Sequence, residues 1–391
     1  MGSLGDTIGR LAAFRARMDG HQKIHTPDRL SELSSFGSNP GALRARTYIP
    51  ESLAANAPLV VVLHGCTQTA ASYDHGSGWS RLADRARFAL LFPEQQRSNN
   101  ANLCFNWFLP GDSRRDGGEA LSIRQMIETL IAIHGIDRKR VFITGLSAGG
   151  AMTSVMLAAY PDLFAGGAII AGLPYGCATG VPEAFERMRG HGGPSEPALQ
   201  SLLRGASKHD GPWPTISIWH GTADHTVDPS NMAAILAQWR GVHEVSQTPS
   251  CAAIVDGYSR KVWRNARGRE IIEVYSIAGM GHGAPLNAVG ANGYGESGPF
   301  MLDVGISSTF HIAGFWDLAA SSEARAASEE RQGPVVFPSP ALSCDALPAK
   351  SHRAAPNEQA LGVRTPISSA PLVTGVRKVI EDALRAAGLM Q

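Results

Sequence analysis

The chain has 391 residues, of which 43% are hydrophobic and 18% charged, with a net charge of +1. That length holds one large α/β domain with extensions, or two domains. The near-zero charge gives no electrostatic footing for nucleic acid or an acidic membrane surface, and no apolar run approaches the roughly 18–20 residues needed to span a bilayer. Five cysteines (Cys66, Cys104, Cys177, Cys251 and Cys344) form no CxxC and no Cys/His cluster with zinc spacing. An odd number leaves at least one thiol free or paired between chains.

Residues 1–41 read as an N-terminal arm, with Arg10, Arg15 and Arg17 in a helical pattern. The first twenty residues lack an uninterrupted apolar stretch and a small-residue cleavage site, so they do not read as a Sec signal. Ala42 to Ile49 alternates like a half-exposed strand, and Leu59-Val-Val-Val-Leu63 is a continuous apolar run of the kind found in buried parallel strands. A helix over Gly78 to Arg87 precedes a strand over Phe88 to Phe92. An amphipathic helix over Ala120 to His134 places Ile123, Ile127, Leu130 and Ile131 on one face. Strands follow at Val141–Thr144, Gly167–Ile170, Thr215–Trp219 and Ile271–Ile277, with helices at Ala151–Tyr160 and Met232–Trp239. This alternation predicts a doubly wound, mostly parallel sheet covered on both faces. Residues 174–212, rich in Gly, Pro, Arg and His, interrupt the rhythm and are expected to form a cap or lid insertion. The catalytic body is expected over 42–320, a linker rich in Ala, Ser, Glu and Pro over 321–371, and a C-terminal helix over 372–391.

Val141-Phe-Ile-Thr-Gly-Leu-Ser147-Ala-Gly-Gly150 carries the chemistry. A β-branched run breaks into Gly-x-Ser-x-Gly and then into a helical segment, which is the sequence form of a nucleophile elbow. The tripartite context matters, because Gly-x-Ser-x-Gly alone recurs by chance in a chain with 43 glycines. A serine hydroxyl near neutral pH needs a histidine base, and the histidine needs a carboxylate to fix its tautomer. In this arrangement the chain order is Ser, then acid, then His.

Ile216-Ser-Ile-Trp-His-Gly-Thr-Ala-Asp224 ends a strand in a glycine turn at the carboxyl edge of the sheet, where open α/β sheets keep their sites. Asp224 is favoured over Asp228, which precedes Pro229 and suits capping of the next helix. His282, between Gly281 and Gly283 just past the strand ending at Ile277, is the best base. His64, His220, His225 and His311 are weaker rivals, and His64 and His220 are placed to pack beneath loops. The oxyanion needs two backbone N–H donors. Ala148, after the nucleophile, and Cys66, in the loop after the early strand, are the candidates. A Cys66–Cys104 bridge and buried free thiols are equally compatible with the sequence. Trp107, Tyr73 and Tyr175 are candidates for substrate contact, while Trp79 and Trp219 read as core.

Seven segments resemble one known family: His64-Gly-Cys-Thr-Gln68, Cys104-Phe-Asn-Trp-Phe108, Gly145 to Met152, Ala171-Gly-Leu-Pro-Tyr-Gly-Cys177, Trp219 to Asp224, Gly281-His282 and Asp303 to Ser308. The chain resembles the poly(3-hydroxybutyrate) depolymerase family of esterases, related to feruloyl and acetylxylan esterases, over roughly residues 42–320. The resemblance implies an α/β-hydrolase fold and a serine esterase that needs no cofactor or metal. It implies Ser147 as nucleophile, Asp224 as orienting acid, His282 as base, and the Cys66 and Ala148 amides as oxyanion donors. It also implies an extracellular enzyme, while the missing export signal keeps a cytoplasmic location open, and it leaves a Cys177–Cys251 bridge open beside Cys66–Cys104. Two features depart from polymer-degrading members: no export signal is visible, and the region after 320 shows no aromatic-rich second domain. Hydroxyalkanoate oligoesters, feruloyl esters and acetyl esters are the expected substrates. A non-catalytic scaffold of the same fold is the rival class.

Overall fold

The computed structural model describes residues 28–289 and 293–319. Twelve strands are found among them: β1 (Ser31–Glu32), β2 (Arg44–Tyr48), β3 (Leu59–Leu63), β4 (Ala89–Glu94), β5 (Val141–Leu146), β6 (Gly166–Ile170), β7 (Thr215–Gly221), β8 (Cys251–Val255), β9 (Tyr258–Arg264), β10 (Glu270–Ile277), β11 (Ala284–Leu286) and β12 (Met301–Asp303). Ten make one sheet in the order β1-β2-β4-β3-β5-β6-β7-β10-β9-β8, and β11 pairs with β12 apart from it. The six central strands run parallel. The strands added outside them, β2 and β1 on one side and β9 and β8 on the other, pair antiparallel. β3 to β7 are buried at every residue in β3, β4, β5, β6 and β7. Continuous apolar runs are what a parallel strand with both faces covered requires.

Nine helices are found among the described residues: α1 (Ala70–Ser77), α2 (Trp79–Ala86), α3 (Pro110–Ser113), α4 (Gly118–His134), α5 (Ala148–Ala159), α6 (Val181–Met188), α7 (Glu196–Gly205), α8 (Ser230–His243) and α9 (Ser308–Phe315). Two apolar clusters lie on opposite faces. Leu59, Val61 and Leu63 join α4, α5 and α8 in one, while Val60 and Val62 join α1, α2 and α9 in the other. The alternation along β3 divides them, since successive strand side chains point to opposite faces.

The structure moves one boundary, shows the make-up of a second segment and adds a hairpin. Residues 28–41, assigned to the arm, belong to the body: β1 pairs with β2, and the Gly41 N–H donates to Ser122 Oγ on α4 (2.8 Å). Residues 174–212 are two helices with connecting turns, pinned to α8 by Gln238, which accepts from the Tyr175 N–H (3.0 Å) and donates to the Leu199 carbonyl (3.0 Å). The hairpin β8–β9 was not anticipated. It turns on Asp256 and Gly257, both at positive φ, as a two-residue hairpin turn demands. Residues 1–27, the linker and the C-terminal helix lie outside the described residues, apart from the start of the arm's junction at 28.

Candidate active site

The elbow is built by close backbone approach. Ser147 sits between β5 and α5 at φ 57° and ψ −117°, a conformation that L-residues seldom adopt. A Cβ on Gly145 would lie 2.4 Å from the Gly149 carbonyl oxygen, and one on Gly149 would lie 2.4 Å from the Leu63 carbonyl oxygen. Only glycine fits at either position, which explains the spacing. The strained serine is held by its own N–H on the Ile170 carbonyl (2.9 Å) and by its carbonyl on the Ala151 N–H (2.8 Å). The residue is buried but not sealed off, at 9% exposed.

The structure brings Ser147, His282 and Asp224 into one hydrogen-bonded line. Ser147 Oγ–H donates to His282 Nε2 (2.9 Å), and His282 Nδ1–H donates to Asp224 Oδ2 (2.7 Å). The tautomer follows from the partner, because a carboxylate only accepts. Asp224 Oδ1 accepts the N–H groups of Thr226 (2.8 Å) and Val227 (2.9 Å). His220 Nε2 lies 3.4 Å from Asp224 Oδ2 and 2.9 Å from the Val227 carbonyl. Burial alone would push the Asp224 carboxyl up. Hydrogen bonds from His220 and His282 outweigh it and hold the group well below the usual carboxylate range. Asp228 instead accepts the Ser230 N–H (2.9 Å) at the start of α8, the capping role its position suggested.

The acid and base loops are tied to each other. The Thr222 N–H donates to the Ile277 carbonyl (3.0 Å), the Ala223 N–H to the Met280 carbonyl (3.0 Å), and the Gly279 N–H to Thr222 Oγ1 (2.9 Å). Both loops leave adjacent parallel strands, β7 and β10, at the same edge. His225 is exposed, and His311 pairs with Asp256 (2.8 Å).

Beside the elbow, the loop after β3 commits its neighbouring amides to the protein but not that of Cys66. Gln68 Oε1 accepts the Gly65 N–H (2.9 Å), and the Thr67 N–H donates to the Asn102 carbonyl (2.7 Å). Among the described residues, no acceptor takes the Cys66 N–H or the Ala148 N–H, which stands at the N-terminus of α5. A disulfide joins Cys66 to Cys104 with the Cα atoms 4.3 Å apart, fastening this loop to the strap that carries Trp107. The other pairing left open does not form. Cys177 is a buried free thiol, which burial pushes up to about 12, and Cys251 is disulfide-bonded elsewhere.

A polar knot that the sequence did not reveal supports the loop. His64 Nδ1–H donates to the Gly65 carbonyl (2.7 Å), and the Gln95 N–H donates to His64 Nε2 (3.1 Å). Burial pushes the His64 imidazole down, so it stays neutral and structural. Gln95 Nε2 donates to Glu119 Oε1 (2.6 Å) and to the Cys104 carbonyl (3.0 Å), and the Asn106 N–H donates to Glu119 Oε2 (2.8 Å). Burial pushes Glu119 up to about 8 despite these donors.

The aromatic candidates separate. Tyr73 is 0% exposed in the second cluster, and its hydroxyl has no partner. It is a core residue of α1, enclosed by the helix-to-sheet packing, and offers no surface to a ligand. Trp107 is 7% exposed, with Phe108 edge-on at 5.4 Å, and Tyr175 is partly buried against the first cluster. Trp79 and Trp219 are core, stacked on Trp316 and Tyr275 respectively. Phe300, unremarked in the sequence, has its ring centroid 6.1 Å from that of His282. The Gly298-Pro299 pair before it was the available turn signal.

Comparison with known proteins bears on this geometry. The family model described as esterase PHB depolymerase matches residues 43–252. The poly(3-hydroxyalkanoate) depolymerase C of Paucimonas lemoignei is 48% identical over 291 residues, covering 74% of this chain and 70% of that protein. An acetylxylan esterase of Coprinopsis cinerea is 33% identical over 271 residues, covering 66% of this chain and 69% of that protein. The solved acetyl xylan esterase from Aspergillus awamori superposes with a TM-score of 0.63 at 25% identity, covering 74% of this chain and 99% of that one. The fold is that of the α/β-hydrolases.

Proposed function

We propose that this chain, which belongs to the esterase PHB depolymerase family and is a carboxylic ester hydrolase, cleaves hydroxyalkanoate oligo- and polyesters through Ser147, His282 and Asp224. The observation that carries the site is the continuous Ser147–His282–Asp224 line at 2.9 and 2.7 Å beside two amides that find no acceptor among the described residues. The substrate class rests on the 48% identity to the poly(3-hydroxyalkanoate) depolymerase.

In the first half-reaction, Ser147 Oγ attacks the ester carbonyl carbon as its proton passes to His282 Nε2. The carbonyl oxygen takes the negative charge and accepts from the Cys66 and Ala148 N–H groups. Asp224 stabilises the imidazolium and holds the ring. The tetrahedral intermediate collapses, the bond to the leaving oxygen breaks, and His282 Nε2–H protonates that oxygen, releasing the alcohol and leaving an acyl-Ser147 ester. In the second half, His282 takes a proton from water as the water oxygen attacks the acyl carbon. Collapse returns the proton to Ser147 Oγ and frees the acid. In this reading Trp107, on the strap clamped by the disulfide to the oxyanion loop, and Tyr175, in the segment that follows β6, are the aromatic contacts offered to the substrate.

Acetyl or feruloyl esters of plant polysaccharide are the second reading, favoured by the likeness to the Aspergillus awamori acetyl xylan esterase over nearly all of that chain. Initial rates on p-nitrophenyl butyrate, 3-hydroxybutyrate oligomers, amorphous polyhydroxybutyrate, acetylated xylan and methyl ferulate, with Ser147→Ala as blank, decide between them. Dominant turnover of the hydroxybutyrate esters is the expected outcome; dominant turnover of acetylxylan or ferulate would reverse the assignment.

A further inference from the structure

Just past the base loop the chain makes a turn whose tip is the wrong residue for its backbone. The Gly298 N–H donates to the Met301 carbonyl (3.1 Å), and the Met301 N–H to the Gly298 carbonyl (3.0 Å), closing a four-residue turn around Pro299 and Phe300. Phe300 sits at φ 62°. In a turn led by proline, a positive φ at the next position is ordinarily met by glycine or asparagine. A bulky side chain there is an outlier that persists only where the surroundings over-determine it, and such residues cluster at functional sites.

The surroundings do over-determine it. The Phe300 carbonyl accepts the Ala284 N–H (2.8 Å), and β12, which begins at Met301, runs parallel to β11, which begins two residues after His282. A Cβ on Gly283 would lie 2.7 Å from the Phe300 carbonyl oxygen, so the two segments meet backbone to backbone. The turn and the base therefore move as one piece. The Phe300 ring stands edge-to-face against the imidazole, with centroids 6.1 Å apart and planes at 77°. Phe300 is only partly buried: one part of it packs against the second apolar cluster and the rest stays accessible beside His282, while its backbone would be served better by glycine.

We propose that Phe300 is a specificity-determining residue that lines the leaving-alcohol side of the site and favours esters whose alcohol is apolar and branched near the ester oxygen. The inference rests on the triad reading above. His282 Nε2 must hand its proton to the leaving oxygen, so the group carried by that oxygen passes beside the imidazole. There it meets Phe300, held rigid by a turn that trades backbone ease for a fixed aromatic wall.

The test uses two butyrate esters that share an acyl group, sec-butyl butyrate and 2-hydroxyethyl butyrate, with acid release followed by titration. Phe300→Gly, which the turn accepts, is expected to lower kcat/KM for the sec-butyl ester about tenfold more than for the hydroxyethyl ester. Phe300→Leu, which keeps apolar bulk, should restore most of the preference. The ratio of p-nitrophenyl acetate to p-nitrophenyl butyrate turnover should stay unchanged in both variants. Equal losses on the two alcohols, or a changed acetate-to-butyrate ratio, would overturn the proposal. If Phe300→Gly fails to fold, Phe300→Asn carries the same comparison at the same φ. Full activity in Ser147→Ala would instead sink the triad reading, so the two failures are distinct.

Discussion

Asp224, on the turn after β7, and Glu119, in the first turn of α4, are both enclosed carboxylic acids within the architecture of one site, and burial pushes each upward. They end on opposite sides of the ordinary range. Asp224 is brought far down by hydrogen bonds from two imidazoles, His220 and His282. Glu119 has the backbone N–H of Asn106 and the Gln95 amide, and it finishes at about 8. The amide donors on Glu119 do not offset its burial, whereas on Asp224 two imidazole hydrogen bonds, the coulombic attraction of His282 and the Val227 amide together do. The protein thus holds a fixed negative charge where an imidazolium must form, and a nearly neutral hydrogen-bonding knot under the loop that supplies an oxyanion amide.

Replacing the charge should break the comparison most severely. Asp224→Asn is expected to lower kcat on p-nitrophenyl butyrate by about 10³–10⁴-fold with KM little changed, because the amide presents the wrong partner to His282 Nδ1. A loss under tenfold would remove Asp224 from the role given to it. On the other side, the knot shares Gln95 with the Cys104 carbonyl, so the Cys66–Cys104 bridge is its mechanical neighbour. The Cys66→Ser/Cys104→Ser double variant opens a crosslink spanning 38 residues. It should lose about 3–4 kcal/mol of stability in urea titrations, and kcat should fall with it as the Cys66 amide loses its fixed position. Unchanged stability and kcat would show the loop to be held without the bridge.

His220→Asn removes one of the two imidazoles on Asp224. As a positioning residue, His220 should cost about tenfold in kcat, the scale of one hydrogen bond of about 1.4 kcal/mol, with KM held. The acid limb of the kcat/KM profile should move to higher pH, since a carboxylate with one donor fewer grips the imidazolium more strongly. A fall in kcat with no movement of the limb would assign His220 to packing alone.

Glu119→Gln is the mildest change, because glutamine imitates the neutral carboxyl. Activity at pH 7 should stay within about threefold, and the informative reading is stability against pH. Glu119 is raised in the fold, so its contribution is complete below its ordinary range near 4.5 and drains away as pH rises through about 8. Asp224 is depressed, so its contribution is present above its ordinary value of 3.8 and is lost as pH falls below that. Urea midpoints for the wild type should therefore decline between pH 5 and pH 8, and Glu119→Gln should flatten that decline while leaving the acid-side loss in place. An identical slope in the variant would contradict the raised carboxyl.

Much of this was legible in the residues themselves. Fully buried parallel strands need unbroken β-branched runs, so β3 and β5 declared themselves. A serine forced to positive φ between two backbones needs glycines on both flanks, so the elbow did as well. What was hidden depends on long-range packing. The acid at Glu119 reads as an ordinary helix-start carboxylate until Gln95 and Asn106 close over it. Tyr73 looked available because α1 was not anticipated, and only the helix shows that its ring faces the sheet. The β8–β9 hairpin carried an Asp256-Gly257 signal, but Cys251-Ala-Ala-Ile-Val alternates between half-buried and exposed and has little apolar pattern. At Ser31-Glu32, two polar residues make an edge strand that no periodicity announces.

The central claim is that Ser147 is the nucleophile, activated by His282 and Asp224. Its most direct test is labelling of the full-length protein with a fluorophosphonate probe, followed by peptide mapping. A single adduct on the peptide containing Ser147, absent in Ser147→Ala and strongly slowed in Asp224→Asn, is the result this account requires. An adduct on another residue, or esterase activity undiminished in Ser147→Ala, would contradict it.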